Sequence, residues 1–223
     1  MATNKIDDPN FSDNRNYDYS LHSGEEREEY QTISNLVTLN SSVIDLGCGN
    51  GLLMKKLIAE KNVSCKGIEI SESAVELCKK NELDVLLGSI DAELPFDNDS
   101  FDYSVCNVTI QMVKYPEVLL REMKRISKYQ IISFPNFAFY RNRLDLLFHG
   151  RMPRPMLFGY NWYNTGHLHQ LSIKDFNNLI NEIGGLRIIN SYHLKSKNPV
   201  INLLMTLLPN LFRTITIVLT CKN

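Results

Sequence analysis

At 223 residues the chain is sized for one large domain or, less readily, two small ones, and its 43% hydrophobic content is enough for a core. Lys and Arg number 24 against 25 Asp and Glu, a balance that argues against a nucleic-acid surface, which needs a net basic face. Five scattered cysteines with no Cys-x-x-Cys pair read as reduced core thiols of a cytoplasmic protein and argue against a disulfide framework or zinc site.

Residues 1–24 are rich in Asn, Asp and Ser, lack periodicity and contain no apolar segment of the secretory kind. They are expected to form a flexible arm ahead of a single domain over 25–223. An acidic run at 25–29 opens a helix, and Tyr30, Ile33, Leu36 and Val37 make its apolar stripe. Residues 43–46 read as a short buried strand, followed by a glycine turn and a helix from Leu52. A second strand ends at Glu69 and Ile70, and Ser71 is placed to cap the next helix. Strands follow at 84–87, at 101–107 and at 130–134, with Pro116 in the first turn of the helix between the last two. Residues 135–170 change character, becoming aromatic and basic; a connection this long is usually functional. Ser172 then caps a helix that Gly184 and Gly185 stop, and strands at 186–189 and 213–219 complete seven. The apolar run at 200–212 is broken by Asn202, Pro209 and Asn210 and is too short to cross a bilayer. Strands alternating with amphipathic helices predict an α/β fold, a mostly parallel sheet with helices on both faces. Ligands of such sheets bind beyond the carboxyl ends of the strands.

The stretch with the most chemistry is Asp45-Leu46-Gly47-Cys48-Gly49-Asn50-Gly51. Glycines at alternate positions let a ligand approach the backbone, and the helix that follows directs free N–H groups at it. The spacing is Gly-x-Gly-x-Gly, not the Gly-x-Gly-x-x-Gly of a dinucleotide cradle. With Asp45 before the loop and Glu69 at the end of the next strand, the pattern resembles the first motifs of class I S-adenosylmethionine-dependent methyltransferases, a Rossmann-like fold. The resemblance implies that Asp45, Gly47, Cys48, Gly49 and Gly51 hold the methionine end of the cofactor, and that Glu69, with Ile70 beside it, takes the ribose. Ser89 stands where that family usually has an aspartate for the adenine amine, with Asp91 as a substitute acceptor and Ile90 offering its backbone and an apolar face. Asn107 and Gln111 follow the fourth strand, within reach of a ligand, but neither is a useful base.

The 135–170 connection narrows the resemblance. Phe134-Pro135-Asn136-Phe137, Arg141-x-Arg143-Leu144, Gly150-Arg151-Met152-Pro153, Trp162-Tyr163 and His169 occur in one order, which resembles the MetW family of methionine biosynthesis proteins. That resemblance implies a role beside homoserine O-acetyltransferase, with S-adenosylmethionine or S-adenosylhomocysteine as ligand. Two functions follow from the residues. One is a methyltransferase acting on a small molecule, with Arg141 and Arg143 clamping a substrate carboxylate. The other is a cofactor-binding protein that regulates a partner through Arg151, Trp162 and Tyr163; the absence of an obvious base favours this one. His167 and His169 alternate, but two imidazoles without a third ligand do not make a zinc site. No metal, nucleic acid or membrane is expected.

Overall fold

The computed structural model describes residues 26–153, 162 and 165–223. In chain order these form α1 (Glu28–Leu36), β1 (Ser42–Leu46), α2 (Leu52–Lys61), β2 (Ser64–Glu69), α3 (Glu72–Lys80) and β3 (Asp84–Leu87). There follow β4 (Phe101–Asn107), α4 (Pro116–Ile126), β5 (Ser127–Pro135), α5 (Tyr140–His149) and α6 (Ile173–Ile183), then β6 (Leu186–His193), α7 (Pro199–Leu207), α8 (Pro209–Phe212) and β7 (Ile215–Lys222). The sheet order is β3-β2-β1-β4-β5-β7-β6. All neighbours are parallel except the two ladders of β7, which is inserted antiparallel between β5 and β6. Strand order reverses between β1 and β4, which opens a crevice at their carboxyl ends.

Local chemistry explains the boundaries. The Ser71 hydroxyl accepts the Ala74 N–H at 3.4 Å, capping α3. Pro116 occupies the first turn of α4, where its missing N–H costs nothing. Ser172 and Asp175 form a reciprocal capping box on α6, which ends at Gly184. Strand side chains alternate between two faces. Ile44, Leu46, Ile132 and Phe134 pack under α4 and α6 with Leu119, Met123, Phe176 and Ile180. Val43, Val105, Ile131 and Ile217 pack against Ile33 of α1 and Leu53 and Leu57 of α2. Each such side chain contributes about 1.5–3 kcal/mol on burial.

The structure departs from the sequence reading in three places. The 135–170 connection contains α5, of which only Asn142 is buried. The apolar run at 200–212 is two helices. Asn202 is no interruption there, because its side chain accepts the Ser196 N–H and donates to the Ser196 carbonyl. Pro209 opens α8 instead of merely ending α7. β5 and β6 are also longer than their apolar cores, held by ladder hydrogen bonds beyond them, and the last strand runs Ile215–Lys222 instead of 213–219, because Arg213 still ends α8. The amino-terminal arm and Tyr163 lie outside the described residues. Among the described residues no helix is long and apolar enough to cross a membrane.

Candidate functional site

The crevice is built by the loop after β1. Gly47, Gly49 and Gly51 all have positive φ, at 81°, 54° and 75°, a region that glycine enters without strain. Space forbids side chains there too: a Cβ on Gly47 would lie 2.6 Å from Thr109 Cγ2, and one on Gly51 2.3 Å from Leu83 Cδ1. The loop is tied down by hydrogen bonds from the Gly47 and Cys48 N–H groups to the Ile68 carbonyl, at 2.8 and 3.2 Å.

Glu69 fastens the loop to β2. Its Oε2 accepts the Gly49 N–H at 2.8 Å, and its Oε1 accepts the Ile70 and Ser71 N–H groups at 2.9 and 3.0 Å. The Gly88 N–H reaches the Glu69 carbonyl at 2.9 Å, which brings the end of β3 to the same place. A carboxylate offers about four acceptor positions, so one remains for a ligand hydroxyl.

Asp45 is 2% exposed, and its Oδ1 has no hydrogen-bond partner. Burial, then the charge of Glu69, pushes its carboxyl up to about 7. An orphaned acceptor at the floor of a glycine cradle is what a cationic ligand group would satisfy. Tyr30 of α1 feels the same environment: burial, then Asp45, pushes its hydroxyl up to about 12. Beneath the loop, a hydrogen bond with Cys78 and burial hold the Cys48 thiol above its usual range. All five cysteines are free thiols.

Asn107 is held at both ends of its amide. Its Nδ2 donates to Glu29 Oε1 at 3.2 Å, and its Oδ1 accepts from Ser133 Oγ at 2.5 Å. Glu29, on α1, is 2% exposed and pairs with Arg27 Nε at 2.7 Å. Sequence reasoning missed it among similar acidic neighbours. The usable signal was position: Glu29 lies one turn before Ile33 on the buried stripe. Val108 follows with φ of 52°, a left-handed conformation that a β-branched residue adopts only under constraint. The Ser133 hydroxyl accepts its N–H at 2.9 Å, and Gln111 Nε2 donates to its carbonyl at 2.8 Å.

The remaining expected residues divide. Ser89 is exposed and donates to Asp91, which also accepts the Lys114 and Tyr115 N–H groups at 2.7 and 3.1 Å. Burial opposes ionisation of Asp91, but these hydrogen bonds outweigh it and hold the carboxyl below its usual range. Asp91 therefore braces that turn, with Ser89, Lys114 and Tyr115 taking three of its acceptor positions. The Ile90 side chain packs in the main core, which leaves its backbone for a ligand; Ile70 is exposed at the crevice edge. Gln111 is buried with Oε1 unpaired, and its carbonyl accepts the Leu168 and His169 N–H groups. His169 is exposed, 3.4 Å from the Lys114 carbonyl, and His167 is buried. Among the described residues, no three His, Cys, Asp or Glu side chains gather as metal ligands.

Arg141 and Arg143 do not form a clamp. Two positions apart on α5, they point to different sides, and Arg143 Nε donates to the Ala138 carbonyl at 2.7 Å. Arg151 lies 3.3 Å from Asp145. A surface depression lined by Asn98, Asp99, Lys124, Arg125 and Lys222 sits at the amino end of β4, away from the glycine loop.

Residues 27–220 match the family described as methionine biosynthesis protein MetW. A bifunctional methionine biosynthesis protein MetXA/MetW of Rhodopirellula baltica is 32% identical over 163 residues, 69% of this chain. The match covers 26% of that relative, so the chain spans about a quarter of its length. Among solved structures, an S-adenosylmethionine-dependent methyltransferase of Mesorhizobium loti aligns with a TM-score of 0.62 at 15% identity, covering 88% of this chain and 98% of that one. The [4+2]-cyclase SpnF aligns with a TM-score of 0.61 at 11% identity, over 86% and 80%. These likenesses establish a Rossmann-like class I methyltransferase fold, and the second shows that the fold serves other chemistry.

Proposed function

The chain belongs to the MetW family of methionine biosynthesis proteins, and from that premise we propose that it binds S-adenosylmethionine or its product and supports homoserine O-acetyltransferase. The observation that carries the partner half is the outward face of α5. On that face Leu147 and Phe148 are each 72% exposed, and farther along the same connection Trp162 is 67% exposed. Leu144, Leu147 and Phe148 share one side of the helix, with Arg151 and Met152 just beyond. A contiguous exposed apolar face with an aromatic residue and an arginine is the composition of an interface centre. The fused relative, whose name joins MetXA to MetW on one chain, supports the choice of partner. Five free thiols accord with a cytoplasmic setting.

The residues fit the cofactor. Asp45 with its unpaired oxygen and the backbone of residues 47–51 would hold the methionine end, and the remaining acceptor position of Glu69 the ribose. When bound, the cofactor supplies a methyl group on a sulfonium. The chain's own part is to fix the ligand against a rigid loop and exclude water from the Asp45 side.

Co-expression with homoserine O-acetyltransferase and pull-down tests the proposal. The pair should co-purify, and acetyl transfer should rise in its presence. Phe148→Asp, and separately Trp162→Ala with Arg151→Ala, should abolish both effects while leaving ligand binding unchanged. No association, together with methyl transfer to a metabolite in cell extract, would overturn the partner reading in favour of a small-molecule methyltransferase.

A further inference from the structure

We propose that Glu29 makes the ligand crevice charge-selective, favouring a cationic sulfonium ligand over its neutral thioether counterpart. The inference rests on the cofactor reading above and adds what the crevice distinguishes.

Glu29 is anchored from two sides. Asn107 Nδ2 holds its Oε1, and Asn107 is in turn fixed by Ser133. The left-handed Val108, braced by Ser133 and Gln111, keeps this turn from relaxing. The carboxylate therefore stays at the crevice and cannot swing into solvent. Arg27 is its one charged partner among the described residues, bound to the same Oε1 and itself 41% exposed. A buried carboxylate so placed is incompletely compensated.

A second, independent observation points to a ligand. Asp45 Oδ1, on a residue 2% exposed, has no partner, and Asp45 stands at the base of the glycine loop that Glu69 secures. Asp45 of β1 and Glu69 of β2 meet at the glycine loop, and Glu29 of α1 is held to Asn107 at the carboxyl end of β4. Arg27 is the only cation they hold among the described residues. Buried carboxylates on the walls of one crevice create a field that a positive ligand relieves.

S-adenosylmethionine and S-adenosylhomocysteine share the adenosine, ammonium and carboxylate groups. They differ by one methyl group and one positive charge on sulfur. Contacts to the shared parts cancel in the comparison of their affinities, whereas a fixed negative charge does not. Glu29 therefore shifts the ratio, and a protein that acts on a partner through ligand binding would report the charged methyl donor rather than its spent product.

Calorimetric titration of the full chain with each ligand tests this. Replacing Glu29→Gln keeps the shape and the acceptor for Asn107 but removes the charge; the ratio of S-adenosylmethionine to S-adenosylhomocysteine affinity should fall roughly tenfold, the scale of one screened charge pair. Arg27→Gln removes the compensating cation and should raise the ratio. If both ligands bind and neither variant moves the ratio, the inference is overturned while the cofactor reading stands. If neither ligand binds the wild-type chain, the cofactor reading fails first. Should Glu29→Gln not fold, Arg27→Gln decides alone: a raised ratio supports the inference and an unchanged one overturns it.

Discussion

Replacing Asp45 by asparagine should stabilise the ligand-free protein, and by an amount that depends on pH. The carboxyl is pushed from 3.8 to about 7 by burial and then by Glu69. A group whose folded pKa is raised binds its proton more tightly in the folded state, so wild-type stability falls as pH rises from about 4 to about 7. At about 1.4 kcal/mol per pH unit, the ionised carboxylate costs about 4 kcal/mol once the pH exceeds 7, an upper bound because water entering the crevice would reduce it. The asparagine side chain carries no such charge. Urea unfolding followed by circular dichroism should show the variant's advantage growing by about 2 kcal/mol between about pH 5 and about pH 7, then levelling off. The offset at any one pH also contains the cost of burying an amide, which does not titrate, so the slope is the test. A gap constant with pH, or one that shrinks as pH rises, would refute the assignment of Asp45 as a strained ionised group. The same variant should bind S-adenosylmethionine at least tenfold more weakly, since an amide lacks the charge to match an ammonium.

Glu69→Ala removes the acceptor for three backbone N–H groups; the ligand-free protein should lose about 2–3 kcal/mol, and calorimetry should show weaker cofactor binding, an unchanged affinity refuting the ribose role. Ser89→Asp exchanges the hydroxyl that donates to Asp91 for a second carboxylate. The brace on Lys114 and Tyr115 should loosen, lowering the thermal midpoint by about 2–4 °C for each kcal/mol lost; a midpoint at or above the wild-type value would show that Asp91 holds the turn unaided. Asn136 is fully buried, donates to the Asn210 and Arg213 carbonyls and accepts the Ala138 N–H, so Asn136→Ala should cost about 2–4 kcal/mol in denaturant unfolding, and a loss below about 0.5 kcal/mol would mean that water replaces the side chain without penalty.

The parts of the fold legible in the sequence were those whose signals are local. Glycines at alternate positions, the serines that cap α3 and α6 and the proline that opens α4 each act within a turn of themselves. What stayed hidden depends on distant partners. α5 turns Leu144, Leu147 and Phe148 outward, so its apolar residues do not mark a buried face, and its length read as a connection. α7 and α8 are apolar on most sides, which erases the period that distinguishes a helix. Glu29 resembled a solvated helix start because its partner Asn107 lies 78 residues later in the chain. Arg141 and Arg143 looked like a pair in sequence, and only the helical step between them shows that they diverge. The Phe-Pro-Asn-Phe element, read as part of a functional connection, has a structural role: the Phe134 ring packs tilted against Phe176 with centroids 4.8 Å apart, and Asn136 ties β5 to the approach to β7.

The position of β7 sets an order of events during synthesis. β6 emerges from the ribosome before β7, yet it meets the sheet only through β7, which pairs with β5 on one side and β6 on the other. Until Ile215 and the residues after it are available, the Ile131-to-Pro135 edge of β5 stays open and β6 has nothing to pair with. During that interval α7 and α8 are already made, with Val200, Leu203 and Leu207 exposed. The nascent chain therefore passes through a state that presents a strand edge and an apolar helix at once, the combination most prone to wrong pairing. Closing the sheet therefore means inserting β7 between two strands made before it.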